Sequence, residues 1–328
     1  MATFTANRLT LVELAKRTKD GNVTAIAEVM NQVNSVLDDA VWGAANGLTS
    51  HMTTKRIALP SGSWRKINQG VAREASKTVQ VSEVIGMLEA FSQADEVLVD
   101  ISPNPGEFRW TEDVAFIEGL SQTLSTAIFY SNTSGAPEKF NGFATRYANL
   151  TTANVSAVNN VHSCKGTGSL LSSAWIVQWG TDKVHMIYPA NSPSVGIAAK
   201  DDGLQTVYDT NNNPFKVYQT HFKMYAGLVV RDDRSVQRVC NISTSGIQTT
   251  HAWSDDKMIA AIRQMPYGGA GAVIYANRDV LTAMDIDSKD KANVFYGPPD
   301  AWGRPTMMFR GFPVKQVDAL AATESAVT

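Results

Sequence analysis

Between His51 and Leu120 the chain sets its two charge extremes back to back, on a stretch whose first half has too few apolar residues to build a core of its own. From His51 to Gln80 it holds Lys55, Arg56, Arg65, Lys66, Arg73, Glu74 and Lys77, six cations against one anion, or +5. From Val81 to Leu120 one cation, Arg109, faces nine anions that include Glu83 and Glu89, or −8, although the whole chain nets only −2. The basic half reads as strand. Ile57 and Leu59, Trp64 and Ile67, and Val79 and Val81 alternate in short runs broken by Pro60, Gly62 and Gly70, the pattern of a hairpin. A two-stranded hairpin is marginal in water, and a long open edge invites pairing with another chain. Either the opposite charges dock one copy onto another, or they are solvated and neutralise each other within one molecule.

Around this stretch the chain reads as ordinary globular protein. Its 328 residues suffice for about two or three packed units, or for one elongated body with excursions, and 44% hydrophobic with 18% charged residues leaves little room for disorder. A pI near 6.2 gives no general nucleic-acid footprint, because phosphate binding needs a net basic surface. Cys164 and Cys240 are two thiols without a dense framework, which fits a reducing cytoplasm and two small buried hydrophobes. Met1 to Asp20 lacks the apolar run of a signal peptide. No stretch approaches the roughly 20 apolar residues of a membrane helix.

The secondary-structure signals describe an α+β chain. Thr10-Leu-Val-Glu13 has the form of a capping box and opens a short helix to about Arg17. Ile26, Val29, Met30, Val33, Val36 and Leu37 recur at helical spacing over about Thr24 to Asp38. Pro103-Asn-Pro105-Gly reads as a turn and Thr111 as the N-cap of a long helix to about Tyr130. Ser173–Gly180 and Lys183–Tyr188 read as a hairpin across Gly-Thr-Asp, and Phe215–Val230 as one long strand. Toward the end, the reading is helix Asp255–Met265, strand Ala272–Tyr275, helix Asn277–Asp285, then strands Thr306–Phe309 and Val314–Val317.

Chemistry is sparse. The histidines His51, His162, His185, His221 and His251 form no metal-ligand spacing, and His185 and His221 read as structural. Gly166-Thr-Gly-Ser169 lacks the second glycine of a nucleophile elbow. Tyr267-Gly-Gly-Ala-Gly-Ala272 precedes a strand, the reverse of a phosphate loop, and reads as a tight helix-to-strand connection. The pairs Asp201-Asp202, Asp232-Asp233 and Asp255-Asp256 read as turn formers or caps. No catalytic, cofactor-binding or metal-binding residue is assigned.

Several segments together resemble the major capsid proteins of tailed, particularly short-tailed (podovirus-like), bacteriophages, which have the Hong Kong 97-type fold. They are Asn46-Gly-Leu-Thr-Ser-His51, Leu59-Pro-Ser-Gly-Ser-Trp-Arg-Lys66-Ile-Asn, Thr78-Val-Gln-Val81, Gly86-Met-Leu-Glu89, Ala276-Asn-Arg-Asp-Val-Leu281 and Phe309-Arg-Gly-Phe-Pro-Val-Lys-Gln-Val-Asp318. The resemblance implies an N-terminal arm and helices over 1–50 and an extended hairpin loop over 51–100. It implies a peripheral domain with a long spine helix over 101–139 and 191–251, and an axial domain over 140–190 and 252–328. The long strand at 215–230 comes earlier than the family's usual order places it, which suggests a permuted strand order. The implied role is a self-assembling head protein that forms an icosahedral shell around double-stranded DNA, without sequence-specific binding, and is built in the bacterial host cytoplasm. Pentamers and hexamers, a separate scaffolding protein, a portal and a decoration protein are the implied partners; the short N-terminal region leaves no room for a built-in scaffold. Closure is expected to be noncovalent, since nothing marks a partner for Lys66. The residues expected at the contact between subunits are Trp64, Arg65, Lys66, Arg73, Lys77, Glu83 and Glu89. Two other readings stay open: a tail or baseplate structural protein, and an α+β hydrolase or transferase with a site assembled from distant residues.

Overall fold

Alternation of apolar residues through the middle of the chain produces strands, and the helical repeats on either side cover them. The computed structural model describes residues 18–19, 22–23, 32–150, 160–191, 196–244, 253–289 and 308–328. In chain order the elements are β1 (Thr18–Lys19), β2 (Asn22–Val23), α1 (Val36–Asp39), β3 (Trp42–Ala44), β4 (Ser50–Ala58), β5 (Lys77–Val84), β6 (Gly86–Asp95), α2 (Glu96–Ile101), α3 (Pro105–Tyr130) and α4 (Phe143–Arg146). They continue with β7 (Val161–Ser163), β8 (Leu171–Gln178), β9 (Val184–Tyr188), β10 (Ala198–Tyr208), β11 (Pro214–Val230), β12 (Val236–Ser243), α5 (Asp255–Gln264), β13 (Ala272–Ala276), α6 (Arg278–Lys289), β14 (Met308–Phe309) and β15 (Phe312–Gln316). The chain divides into two compact units, one of residues 1–33, 87–126 and 193–225, the other of 34–86, 127–192 and 226–328.

In the first unit the hairpin β10–β11 runs antiparallel from Ala198↔Lys223 to Tyr208↔Pro214, with a bulge between Asp201 and Gly203. Its turn is held by Asp209, whose Oδ1 accepts the backbone amides of Asn211 and Asn213, each at 2.8 Å. Against these strands pack Ala94, Leu98, Val99 and Phe108, with Tyr218 beside them. Arg109 closes the edge, donating to Asp201 at 2.8 Å while its guanidinium lies 5.1 Å from the Tyr218 ring centroid.

The second unit centres on a six-stranded sheet in the order β14-β15-β13-β8-β12-β7. Its middle strand β8 is buried at every residue, so both faces must be covered. On one face Ala174 and Ile176 join Met258, Ile262, Val280 and Met284 from α5 and α6. On the other, Trp175 meets Phe129, Phe143 and Tyr147 at centroid distances of 6.2, 5.7 and 6.2 Å. The period of two along β8 thus feeds two separate cores. In this unit the end of β11 pairs with β9, and β9 pairs with β3. Gly227 is required there, because a Cβ would stand 2.8 Å from the Ile187 side chain and 2.9 Å from the Val84 carbonyl oxygen.

Three expectations need correction. The long helix starts at Pro105, not Thr111: proline suits the first helical position, Asn104 Oδ1 accepts the Glu107 amide at 3.4 Å as the cap, and the Thr111 hydroxyl donates back to the Phe108 carbonyl. β8 and β9 do not form a hairpin ladder; β8 sits between β12 and β13, and β9 between β11 and β3. Strands buried on both faces each recruit two flanking partners, and the Gly-Thr-Asp turn serves as a crossing between sheets. The apolar stripe toward Asp38 is not helical at residues 32–34, where Asn34 bridges to Val317 and its side chain accepts the Ala319 amide at 3.1 Å. Val36 and Leu37 of that stripe lie in α1, while its residues 24–31, the Thr10 capping box, His251 and Thr306 lie outside the described residues. α5, β13, α6 and β15 fall within a few residues of their expected positions.

Along α3 a run of hydroxyls turns back on the helix itself. Ser121, Thr123, Ser125, Thr126 and Ser131 donate to the carbonyls four residues earlier, at 2.9, 2.8, 2.8, 3.0 and 2.6 Å. Such bonds let a helix bury small polar residues, and they favour bending.

Candidate assembly surface

The basic stretch forms a hairpin of β4 and β5, paired antiparallel from Ser50↔Val84 to Ala58↔Lys77 with a bulge near Ile57. Beyond it, residues 59–76 form a loop without helix or strand in which every residue is exposed. Its tip is a turn in which the Gln69 amide bonds to the Lys66 carbonyl at 3.2 Å and Asn68 takes a φ of 67°. Lower down, Glu74 holds the two sides together by accepting from the amide and hydroxyl of Ser61. The loop carries Trp64 at 104% exposure, with Leu59, Ile67 and Val71 also exposed. A cluster of large apolar side chains with no cover inside its own molecule marks a contact surface.

The root of the hairpin is firmly fixed. Glu83 is 5% exposed, and Arg146 grips it through two parallel bonds of 2.6 and 2.7 Å while also donating to the carbonyls of Asn141 and Leu228. Lys55 reaches Asp233 at 2.7 Å, and the Asn46 side chain brackets the backbone of Met52 with bonds of 2.7 and 2.8 Å. Rigid base and uncovered tip sit on one element.

The structure sorts the expected contact residues into two sets. Trp64, Arg65, Lys66, Arg73 and Lys77 all stand exposed on the arm. Glu83 belongs to the hairpin root and is bound by Arg146, whereas Glu89 lies on β6 between exposed Met87 and Phe91, with its carboxylate 3.5 Å from His221. Among the described residues no ion pair joins the basic stretch to the acidic one, so neutralisation between them within one molecule is not seen. Sequence spacing gave no sign of the Glu83–Arg146 pair, which links positions 63 apart.

Burial pushes the Cys164 thiol up to about 11 and the Cys240 thiol up to about 12, so neither is a nucleophile. Asp201 and Asp232 accept backbone amides two residues on, as turn formers do. The described residues hold no cluster of three or more metal-ligating side chains, and no described helix is long and apolar enough to cross a membrane. The glycine run after α5 is a short 3₁₀ turn leading into β13, not a phosphate cradle.

His51 and His185 meet edge-on beside the hairpin root, with ring centroids 5.8 Å apart. Desolvation by burial, then the nearby charge of Arg231 on His51 and of His51 and Arg231 on His185, lowers both below the ordinary value; Glu83 and Asp182 oppose this. His162 is lowered as well, chiefly by burial. In the unfolded chain these rings titrate near 6.5, so below that pH the unfolded state binds more protons than the folded one. The stability these rings confer is therefore complete above about pH 6.5 and declines as the pH falls through their depressed folded values. Urea midpoints are expected to drop between about pH 7 and pH 5, and a His51→Asn/His185→Asn variant to show a shallower slope. Identical slopes in the two proteins would contradict this.

An α+β body with an anchored hairpin that offers apolar and basic groups outward is arranged for contact with other chains. The folds agree: the bacteriophage JBD30 capsid matches with a TM-score of 0.52 at 9% identity over 90% of this chain and 95% of that one, which places the architecture in the Hong Kong 97 class. A chain of bacteriophage Epsilon15 matches with a TM-score of 0.79 at 28% identity, over 100% of this chain and 99% of that one. Residues 18–328 match the family model of the major capsid protein GP7, and the chain belongs to that family. A comparison with curated protein sequences found no match. The protein is a structural component of the phage virion, a subunit of its oligomeric icosahedral shell and not an enzyme. The hydrolase or transferase reading and the tail or baseplate reading are thereby set aside.

Proposed function

We propose that the subunit self-assembles by laying its basic arm across the outer face of β6 in a neighbouring copy. The observation that carries this is the complete exposure of residues 59–80 despite Leu59, Trp64 and Ile67. Burying such side chains contributes roughly 1.5–3 kcal/mol each, whereas exposed ion pairs contribute about 0–1 kcal/mol. Apolar contact therefore supplies the affinity. Arg65, Lys66, Arg73 and Lys77 set the register against an acidic surface. On β6 the exposed side chains Met87, Glu89 and Phe91 follow one another on a single face, a stripe of apolar, acidic and apolar character that complements the arm.

The same reading assigns 1–50 to an N-terminal arm with helices and 51–100 to the extended loop. It assigns 101–139 with 191–251 to a peripheral domain and 140–190 with 252–328 to an axial domain. Assembly in the host cytoplasm with a separate scaffolding protein, a portal and a decoration protein, and enclosure of double-stranded DNA without sequence readout, complete the proposal. A near-neutral charge favours a lining that tolerates DNA without gripping it. Closure in this reading is noncovalent, since nothing in the sequence marks a partner for Lys66.

Reversing Arg65 and Lys66 to Glu tests the arm. Both side chains are exposed and pair with no carboxylate among the described residues, so the variant is expected to keep the wild-type circular dichroism and melting temperature while closed shells vanish from negative-stain images. Particles indistinguishable from wild type would remove the arm from the mechanism.

A further inference from the structure

The end of α5 carries a second surface that the arm does not use. Ile259, Ile262, Arg263, Gly268, Arg310 and Phe312 line a crevice of about 180 Å³. Two left-handed turns flank it. Tyr267 and Gly268 take φ values of 54° and 66°, and Arg310 and Gly311 take 53° and 85°. A non-glycine residue with positive φ is uncommon, and residues held in this way cluster at binding clamps, where the surrounding structure enforces the conformation. Here each turn projects a large side chain into solvent, and Tyr267 is 92% exposed. Among the described residues no carboxylate pairs with Arg263 or Arg310. An apolar floor under two unpaired guanidinium groups calls for an occupant that is apolar and acidic together. The volume lies well below the roughly 300 Å³ at which small-molecule pockets begin, and suits a side chain.

We propose that this crevice receives α2 of a second copy, a contact that rests on the shell-forming reading and specifies one of its interfaces. α2 buries Leu98 and Val99 in its own unit and turns Val97 and Ile101 outward at 58% and 60% exposure, one helical turn apart. Glu96 and Asp100 stand beside them at the same spacing. An aliphatic pair edged by an acidic pair is the complement of an apolar crevice edged by two arginines. The two patches differ, so the contact is heterologous and propagates from copy to copy, as a ring within a shell requires.

The test compares the unaltered chain with three variants by sedimentation and electron microscopy. Arg263→Glu/Arg310→Glu is expected to lower the yield of shells and partial shells about tenfold or more. Adding Glu96→Arg/Asp100→Arg to that variant is expected to restore assembly. Arg310→Gly relieves the left-handed turn, so its melting temperature is expected to be no lower than wild type while its shell yield falls; this variant separates loss of contact from loss of fold. Wild-type yields from the double arginine variant, or no recovery in the charge swap, would overturn the α2 contact while leaving the capsid reading intact. If the unaltered chain formed no oligomer at all, the proposed self-assembly would fail, and this contact with it.

Discussion

Replacing Glu324 with alanine is expected to destabilise the subunit by about 3–5 kcal/mol, a large share of the stability of a typical domain. Arg238 and Glu324 pair at 3.0 Å with side-chain exposures of 5% and 7%. The guanidinium also donates to Ser173 Oγ at 3.0 Å and to the Tyr147 carbonyl at 2.8 Å, and it lies 5.0 Å from the Trp175 ring centroid. The carboxylate accepts from the hydroxyls of Tyr130 and Ser173. The three guanidinium nitrogens and both carboxylate oxygens are each bonded. Removing the carboxylate leaves a buried cation without its counter-charge, the costly half of the asymmetry between breaking such a pair and replacing it. Denaturant unfolding of the purified subunit measures the loss, and Arg238→Met/Glu324→Leu is expected to recover most of it. A Glu324→Ala cost under about 1 kcal/mol would mean that the pair behaves as an exposed one.

Substituting Arg146 with alanine is expected to have a comparable effect on stability and to loosen the arm at its base. The change strips Glu83 of both guanidinium bonds and leaves a carboxylate buried at 5% exposure, again about 3–5 kcal/mol. It also frees the carbonyls of Asn141 and Leu228. Because Glu83 sits directly opposite His51 in the hairpin ladder, hydrogen exchange is expected to rise first in β4 and β5. Arg146→Lys keeps the charge but not the paired geometry, and so recovers only part of the loss. Unchanged exchange in the hairpin, with global stability lowered, would show that the pair supports the body and not the arm.

The arm was legible in the sequence because its signals are local: alternation, glycine and proline breaks, and a block of one charge. The same holds for α5, β13 and α6, where periodicity and turn residues agree. What the sequence hid depends on partners far along the chain. Glu83 reads as one more acid in an acidic run, yet Arg146 buries it; the only hint is a cation within the apolar segment Phe143-Ala-Thr-Arg146-Tyr147. His51 and His185 meet only through the stacking of β3, β9 and the hairpin root. The turn after Gln178 fits a hairpin by local rules, but strands covered on both faces answer to the two cores they join. The crevice beside Arg310 depends on backbone angles that composition does not announce.

The hydroxyl ladder of α3 bears on how far that helix can bend without leaving a carbonyl bare. Ser121, Thr123, Ser125, Thr126 and Ser131 each give a carbonyl a second donor, so lengthening one main-chain bond leaves its acceptor still satisfied. A bend in α3 would then cost little enthalpy, which gives this helix the compliance of a leaf spring.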